Sequence, residues 1–345
     1  MPSADRVRFA VVGVEHPHAA NLASGLLAAG AECAGFHNRA GESDGAVARA
    51  FAAAFPQVTE VDDPRRLLDD PSISLIVTAD VPDRRAAVAV AALHSGKDVL
   101  AAKPGCVSLD ELAAIRQAVA DTGRFWWVCF SERLHVRSVV RASQVVAEGR
   151  IGRVVQTIGL GPHRLSAPTR PEWFFDQARG GGILTDLASH QVDQFLHFTG
   201  STQAEVVAST VANHANPGRP RFADFGELLL RGDAGHGYAR VDWYTPDGLP
   251  TWGDGRLTVL GTDGYLEIRK YVDVAGVPGG DHLFVVDGAQ TERVDCTDVE
   301  LPFYPDLVRD ITDRTERAMT QSHSFLATEL AIRADLLATR AGHLA

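Results

Sequence analysis

The sequence predicts a two-domain α/β protein: an N-terminal doubly wound parallel sheet, then an α+β domain with an open, mostly antiparallel sheet. Three observations carry this reading. Roughly the first 125 residues alternate short apolar strands with helices. After Trp127 long strands follow one another through turn signals such as Arg231-Gly232-Asp233 and Asp263-Gly264. The length of 345 residues exceeds what one hydrophobic core ordinarily serves.

The elements follow in order. Residues 7–13 read as an apolar strand, 17–29 as a helix closed by Gly30, and 32–36 as a second strand. Residues 46–55 are helical in pattern, 57–61 form a short strand, and 64–68 a helical turn. A buried strand at 73–78, a helix at 84–94 closed by Gly96, a strand at 98–101 and a helix at 109–122 complete the alternation. The boundary is expected at residue 128, giving domains 1–128 and 129–345. In the second domain, strands are expected at 154–161, 204–211, 226–231, 237–244, 257–260, 265–270, 282–286 and 292–295. Helices at 304–320 and 324–341 close the chain.

Composition narrows the function classes. A net charge of −11 argues against nucleic-acid binding. No apolar run reaches the length of a transmembrane helix, and the N-terminus lacks a signal-peptide pattern, so a cytoplasmic protein without membrane contact is expected. Cys33, Cys106, Cys129 and Cys296 form no CxxC pair, which argues against a disulfide framework or a thiolate zinc site. Of 33 cationic residues only Lys97, Lys103 and Lys270 are lysines. A lysine retained in an arginine-rich chain suggests a need for an amine that can lose its proton.

The first strand-to-helix turn reads Val12-Gly13-Val14-Glu15-His16-Pro17-His18. A dinucleotide-binding turn wants glycine where Gly13, Glu15 and His18 stand, and only Gly13 is present. Glu15 has the wrong charge for a phosphate site unless its side chain turns away. The second strand ends Phe36-His37-Asn38-Arg39, with no acid for a ribose, and Arg39 leans the cofactor slightly from NAD toward NADP. The expected nucleotide contacts are Gly13, Glu15, His16, His18, Asn38, Arg39, Ala79 and Lys103.

Lys103 stands at the carboxyl end of a buried strand, the edge where parallel sheets bind ligands. Flanked by Ala101, Ala102 and Pro104, it is expected to be partly desolvated, with a lowered pKa suited to acid/base work; a surface lysine is the alternative. The segment Gly180-Gly181-Gly182-Ile183-Leu184-Thr185-Asp186-Leu187-Ala188-Ser189-His190 follows a different logic. The glycines allow close approach of backbone to ligand, and Thr185 is placed to cap a helix starting at Asp186. Asp186 and His190 then share a helical face, and a carboxylate beside an imidazole suits a general base; a plain intrahelical ion pair is the alternative. Adding Asp193, with Asp176 and His163 upstream, gives a weaker metal reading. His163, Arg164, Arg170 and Trp173 read as a lid over the substrate, arginine suiting a carboxylate, with loop packing the even alternative. Ser131-Glu132-Arg133 is a lesser candidate of the same kind.

These residues resemble the Gfo/Idh/MocA family of glucose–fructose oxidoreductases and inositol dehydrogenases. The resemblance covers nearly the whole chain and rests on two segments. One is Ala91-Ala92-Leu93-His94-Ser95-Gly96-Lys97-Asp98-Val99 leading to Lys103-Pro104, with Ala102 where the family usually has Glu. The other is the glycine run with Asp186 and His190. The resemblance implies a Rossmann domain, an NAD or NADP cofactor, a sugar, cyclitol or polyol substrate, and a homo-dimer or homo-tetramer formed through the second sheet. It also implies catalytic roles for Lys103, Asp186 and His190: proton transfer by His190, its orientation by Asp186, and a hold on the substrate oxygen by Lys103. Arg85 stands where the family's usual His follows the fourth strand. The poor glycine turn keeps a non-catalytic nucleotide sensor in view, and Asp186 with His190 a metal-dependent lyase or isomerase.

Overall fold

Five apolar runs pair in parallel as the first sheet of the computed structural model, which describes residues 6–39, 41 and 44–344. They are β1 (Arg8–Val14), β2 (Glu32–His37), β3 (Leu75–Ala79), β4 (Asp98–Ala102) and β5 (Trp126–Cys129), in the order β2-β1-β3-β4-β5. Every residue of β3, β4 and β5 is buried, as befits strands covered on both faces. The helices of this part are α1 (His18–Ala28), α2 (Ala46–Ala54), α3 (Arg65–Leu68), α4 (Pro82–His94) and α5 (Leu109–Thr122). At the start of α5 the Ser108 hydroxyl accepts from the Glu111 N–H at 3.2 Å, while the Glu111 carboxylate accepts from the Val107 N–H at 2.8 Å.

The strand expected at 57–61 shrinks to one parallel bridge between Phe36 and Glu60. The Phe36 N–H donates to the Thr59 carbonyl at 2.9 Å and the Val61 N–H to the Phe36 carbonyl at 2.8 Å, but Thr59 and Glu60 are exposed and supply no apolar surface to extend it. Counted as a rudimentary third strand beyond β2, the bridge gives the 3-2-1-4-5-6 order of dinucleotide-binding sheets, with its switch point between β1 and β3.

The second sheet has nine strands: β6 (Val154–Pro162), β7 (Ala204–Asn213), β8 (Phe225–Gly232), β9 (His236–Asp242), β10 (Arg256–Gly261), β11 (Gly264–Arg269), β12 (His282–Asp287), β13 (Thr291–Val294) and β14 (Thr339–Gly342). Their order is β13-β12-β11-β10-β6-β9-β8-β7-β14; β6–β9 and β7–β14 pair in parallel and the rest antiparallel. Leu257, Val259, Leu266, Ile268, Leu283 and Val285 bury one face by simple alternation. The remaining helices are α6 (Ser131–Leu134), α7 (Arg137–Ala147), α8 (Gln177–Gly180), α9 (Ser189–Thr199), α10 (Phe303–Asp313) and α11 (Gln321–Leu337). Neither β5 nor α7 was expected; α7 places Val139, Ala142 and Val145 in the same core at helical spacing.

The chain forms two compact units. The first is Met1–Cys129 with Pro171–Gly181 and Pro302–Thr328; the second is Phe130–Arg170, Gly182–Leu301 and Glu329–Ala345. One cut at 128 therefore does not describe the chain. Local contacts draw the late segment into the first unit: the Trp127 indole donates to the Met319 carbonyl at 3.0 Å, Gln321 accepts from the Trp126 N–H at 2.8 Å, and Phe325 stacks on Trp126 at 5.1 Å. The helix expected at 304–320 stops at Asp313 because Arg314 adopts left-handed backbone, φ 54°. Asp310 then accepts from the Thr315 hydroxyl and from the Arg317 and Ala318 N–H groups at 2.6–2.9 Å. The final helix ends at Leu337 rather than 341, and β14 follows it.

Gly25 on α1 lies under the Tyr304 ring, and a Cβ there would stand 2.1 Å from the ring. Gly25→Ala is expected to destabilise the fold by about 1–3 kcal/mol through overpacking, against the small helix-propensity gain of alanine. Urea or thermal unfolding checks this; an unchanged or raised midpoint refutes it.

Candidate active site

The turn between β1 and α1 begins at Gly13, whose φ is +88° and whose Cβ, if present, would lie 2.4 Å from that of Asp80. Burial holds the Asp80 carboxyl above its ordinary range. Glu15 is 3% exposed and points its carboxylate at Asn38, accepting from Nδ2 at 2.9 Å. Asn38 Oδ1 in turn accepts from the Val14 N–H at 2.8 Å. The other oxygen of Glu15, Oε2, is buried without a hydrogen-bond partner. The acid missing after the second strand in sequence is thus present in space, behind Asn38, while Arg39 is exposed.

The backbone donors of this turn are engaged internally. The Glu15 and His16 N–H groups both donate to the Ala79 carbonyl, at 3.1 and 2.9 Å. Pro17 has none, and the His18 N–H donates to His16 Nδ1 at 3.2 Å. The Ala19 and Ala20 N–H groups donate to His16 and Pro17 carbonyls at 3.0 and 3.2 Å. A helix terminus ordinarily offers such amides to a pyrophosphate. Here the imidazoles of His16 and His18 pack against each other in the turn, with centroids 4.1 Å apart. The residues fit a dinucleotide at the sheet's switch point and at the ribose end; they depart from the usual amide cradle.

Lys103 follows β4 at the carboxyl edge of the sheet and is 6% exposed. Arg85, buried in the first turns of α4, donates to the carbonyls of Asp80 at 2.8 Å and Ala102 at 3.0 Å, and to that of Lys103. One guanidinium therefore ties the ends of β3 and β4 together and fixes the backbone that carries Lys103. Sequence reading registered Arg85 only as a departure, because its acceptors are backbone carbonyls invisible to any motif.

In the second unit Gly182 has φ +90°, and a Cβ there would stand 2.6 Å from the Asp335 carboxylate. Residues Leu184–Ala188 then form a π-helical turn ahead of α9. Thr185 is therefore not the expected N-cap: its hydroxyl donates to the Ala331 carbonyl at 3.4 Å, and its backbone N–H donates to the Asp335 carboxylate. The wider turn also changes the geometry assumed for Asp186 and His190, since residues four apart stack in an α-helix but not in a π-turn. Asp186 donates its N–H to the Gly182 carbonyl at 2.9 Å, and its charge supports the buried Arg170 guanidinium, whose pKa burial lowers. His190 is 2% exposed, edge-on to Phe130 at 6.5 Å between centroids.

The short helix α6 delivers two charges toward α9. Arg133 makes a forked ion pair with Asp193, both N–H···O distances 2.7 Å. Glu132 Oε2 accepts from Lys270 Nζ at 2.6 Å and from Gln191 Nε2 at 3.1 Å, with the Lys270 side chain fully buried. Burial alone would raise the Glu132 pKa, but Lys270 first, then His190 and His163, hold it at about 2. Breaking such a buried pair typically costs about 3–5 kcal/mol. Asp193 commits both oxygens to Arg133, which removes it from the metal set considered above. Among the described residues no group of three or more His, Cys, Asp or Glu side chains is placed to hold a metal.

The four expected lid residues separate. Trp173 is buried in the first unit, while His163, Arg164 and Arg170 belong to the second. Arg164 donates to the carbonyls of Pro246 at 2.9 Å and Leu249 at 2.6 Å. Arg170 donates to Leu165 at 2.9 Å and lies over the Trp243 ring at 5.4 Å. Both guanidiniums hold loop carbonyls, as the packing alternative has it. His163 packs against Trp252 at 4.4 Å and Trp243 at 5.6 Å, and Trp252 against Tyr271 at 4.6 Å.

Comparison with known proteins gives consistent matches. Residues 7–130 match the GFO/IDH/MocA model described as an oxidoreductase family with an NAD-binding Rossmann fold, and residues 139–267 match that family's C-terminal domain. A solved structure from Erwinia carotovora atroseptica SCRI1043, described only as an oxidoreductase, is 45% identical, covers 97% of this chain and 99% of that one, and superposes with a TM-score of 0.93. Levoglucosan dehydrogenase of Pseudarthrobacter phenanthrenivorans is 30% identical over 47% of this chain, a match spanning only 42% of that relative's length. The scyllo-inositol 2-dehydrogenase (NAD(+)) of Bacillus subtilis is 25% identical over 88% of this chain and 87% of its own.

Asp335 generates a testable pH dependence. Burial raises its pKa to about 7, opposed by the Thr185 N–H. A carboxyl whose folded pKa is raised stabilises below its unfolded pKa near 4, and that stability is lost as pH rises toward about 7. Relative to Asp335→Asn, the wild type should therefore lose stability on the order of 4 kcal/mol between those limits. Parallel denaturant titrations from pH 4 to 8 that show a constant difference would refute this.

Proposed function

The chain belongs to the GFO/IDH/MocA oxidoreductase family, and from that membership we propose that it transfers hydride between a nicotinamide cofactor and a hydroxyl- or carbonyl-bearing carbon of a sugar, cyclitol or related polyol. The observation that carries the reading is Lys103: a buried amine at the carboxyl edge of β4, its backbone pinned by Arg85. When bound, the nicotinamide ring supplies the hydride acceptor or donor. His190 takes the proton from the substrate hydroxyl, or returns it in reduction. Asp186 orients His190, and Lys103 holds the substrate oxygen and shares the proton. His163 is the member of the former lid set that faces the substrate. Gly13 and Ala79 would hold the nucleotide, together with His16 and His18 for its phosphates and Glu15, Asn38 and Arg39 for its ribose. Exposed Ile158, Val207, Leu229, Leu260 and Tyr265 on the second sheet support self-association through that face.

One observation favours a second reading. The engaged amides of the Gly13 turn are what a weak nucleotide binder would show, as in a sensor that keeps the fold without turnover. Turnover separates the two. Titration with NADH and NADPH, followed by quenching of Trp126 and Trp127, should saturate. With a panel of cyclitols and aldoses, His190→Ala is expected to lower kcat by about 10²–10⁴-fold, with nucleotide affinity unchanged. Saturation without turnover of any panel member supports the sensor; no binding of either nucleotide refutes both.

Cofactor choice is read as leaning to NADP: Arg39 is exposed just past β2, where it would meet a 2′-phosphate, whereas the Glu15 carboxylate accepts from Asn38. Arg39→Ala should weaken NADPH by about tenfold while leaving NADH unchanged. Tighter binding of NADH by the wild type, with Arg39→Ala neutral, reverses the assignment.

A further inference from the structure

Among the carboxylate oxygens of the second unit that are buried and unanswered is one of Glu132. Glu132 Oε2 accepts from both Lys270 and Gln191, at 2.6 and 3.1 Å, while Oε1 is sealed from solvent and has no hydrogen-bond partner. A buried charged acceptor in that condition calls for a donor, either ordered water or a ligand hydroxyl. Its neighbourhood points to the ligand. The charges that act on Glu132 are Lys270, His190 and His163, so the oxygen lies within electrostatic reach of the proposed acid/base imidazole. Gln191, next to His190 on α9, also leaves its Oε1 buried without a partner. Its side chain rests on Gly159 and Gly161 of β6, where a Cβ would come within 2.6 and 2.7 Å of it. The glycines leave room for the Gln191 side chain. His163, Trp252 and Tyr271 add a run of aromatic surface, with centroid spacings of 4.4 and 4.6 Å.

We propose that Glu132, held by Lys270, binds a hydroxyl of the substrate beside the carbon whose proton His190 handles, and that the substrate is a neutral polyol and not a sugar acid. This rests on the oxidoreductase reading and adds a substrate class to it. Two acceptors want donors, which hydroxyls supply and a carboxylate does not. A substrate carboxylate would also meet the fixed negative charge of Glu132. Arg164 and Arg170 each donate to loop carbonyls, and Arg170 also lies over an indole face.

The experiment compares neutral cyclitols and aldopyranoses with the matching uronic acids, using nucleotide-saturated protein and steady-state kinetics. Wild type should act on neutral members and reject their uronates. Glu132→Gln, which keeps the shape and removes the charge, should raise KM for the neutral substrate by about 10- to 100-fold, with a smaller change in kcat. A purely structural ion pair would instead lower Tm in Glu132→Gln and leave KM untouched, and that result overturns the proposal. Preference for uronates, or turnover of no neutral member, overturns it as well. Loss of nucleotide binding in the wild type is a different failure, since it sinks the oxidoreductase reading on which this one stands.

Discussion

Two adjacent side chains on one helical turn, Glu132 and Arg133, carry opposite charges into the interior of the second unit. Each must find its counter-charge there, since an uncompensated buried ion is far more costly than any single apolar contact is favourable. Arg133 finds Asp193 and Glu132 finds Lys270, which fastens α6 to α9 and to the chain just after β11. His190 lies on α9 between the tether from Gln191 and the anchor at Asp193 on one side and the π-turn on the other. Its ring is positioned by charge balance as much as by packing. The pairing also sets local chemistry: because Lys270 keeps Glu132 ionised, a permanent negative charge stands near the imidazole.

Much of the fold was legible because it is written in local periodicity. Apolar runs bounded by glycine located β1 to β4, and alternation located most of the second sheet. What was missed depended on distant partners. The π-turn lies where Asp335, far along the chain, accepts from the Thr185 N–H and the Thr185 hydroxyl donates to the Ala331 carbonyl instead of capping. The break at Arg314 is set by Asp310 gathering three later donors, and helical periodicity in the sequence runs straight through it. The strand at 57–61 had the right residue types but too little buried surface to extend past one bridge.

The candidate site shows the same division. Lys103 and His190 stand out in sequence because they interrupt apolar patterns at recognisable places. Glu15 looked like a defect, since the residue that neutralises the objection, Asn38, sits at the end of another strand. The turn that carries it closes its amides onto Ala79, His16 and Pro17. Arg164 and Arg170 misled in the opposite sense: residue type suggested a ligand clamp, and only the carbonyls around them reveal supports for a loop.

The scarcity of lysine acquires a physical meaning once burial is known. Lys97, Lys103 and Lys270 are 5%, 6% and 2% exposed, so the amines the chain retains are withdrawn from its surface while arginine serves the outside. Acylating reagents, aldehydes and reducing sugars attack unprotonated amines and barely touch guanidinium. Folding therefore withdraws these side-chain amines from amine-directed reagents in bulk solvent. The same shielding makes acylation of these three residues a measure of how often the structure opens.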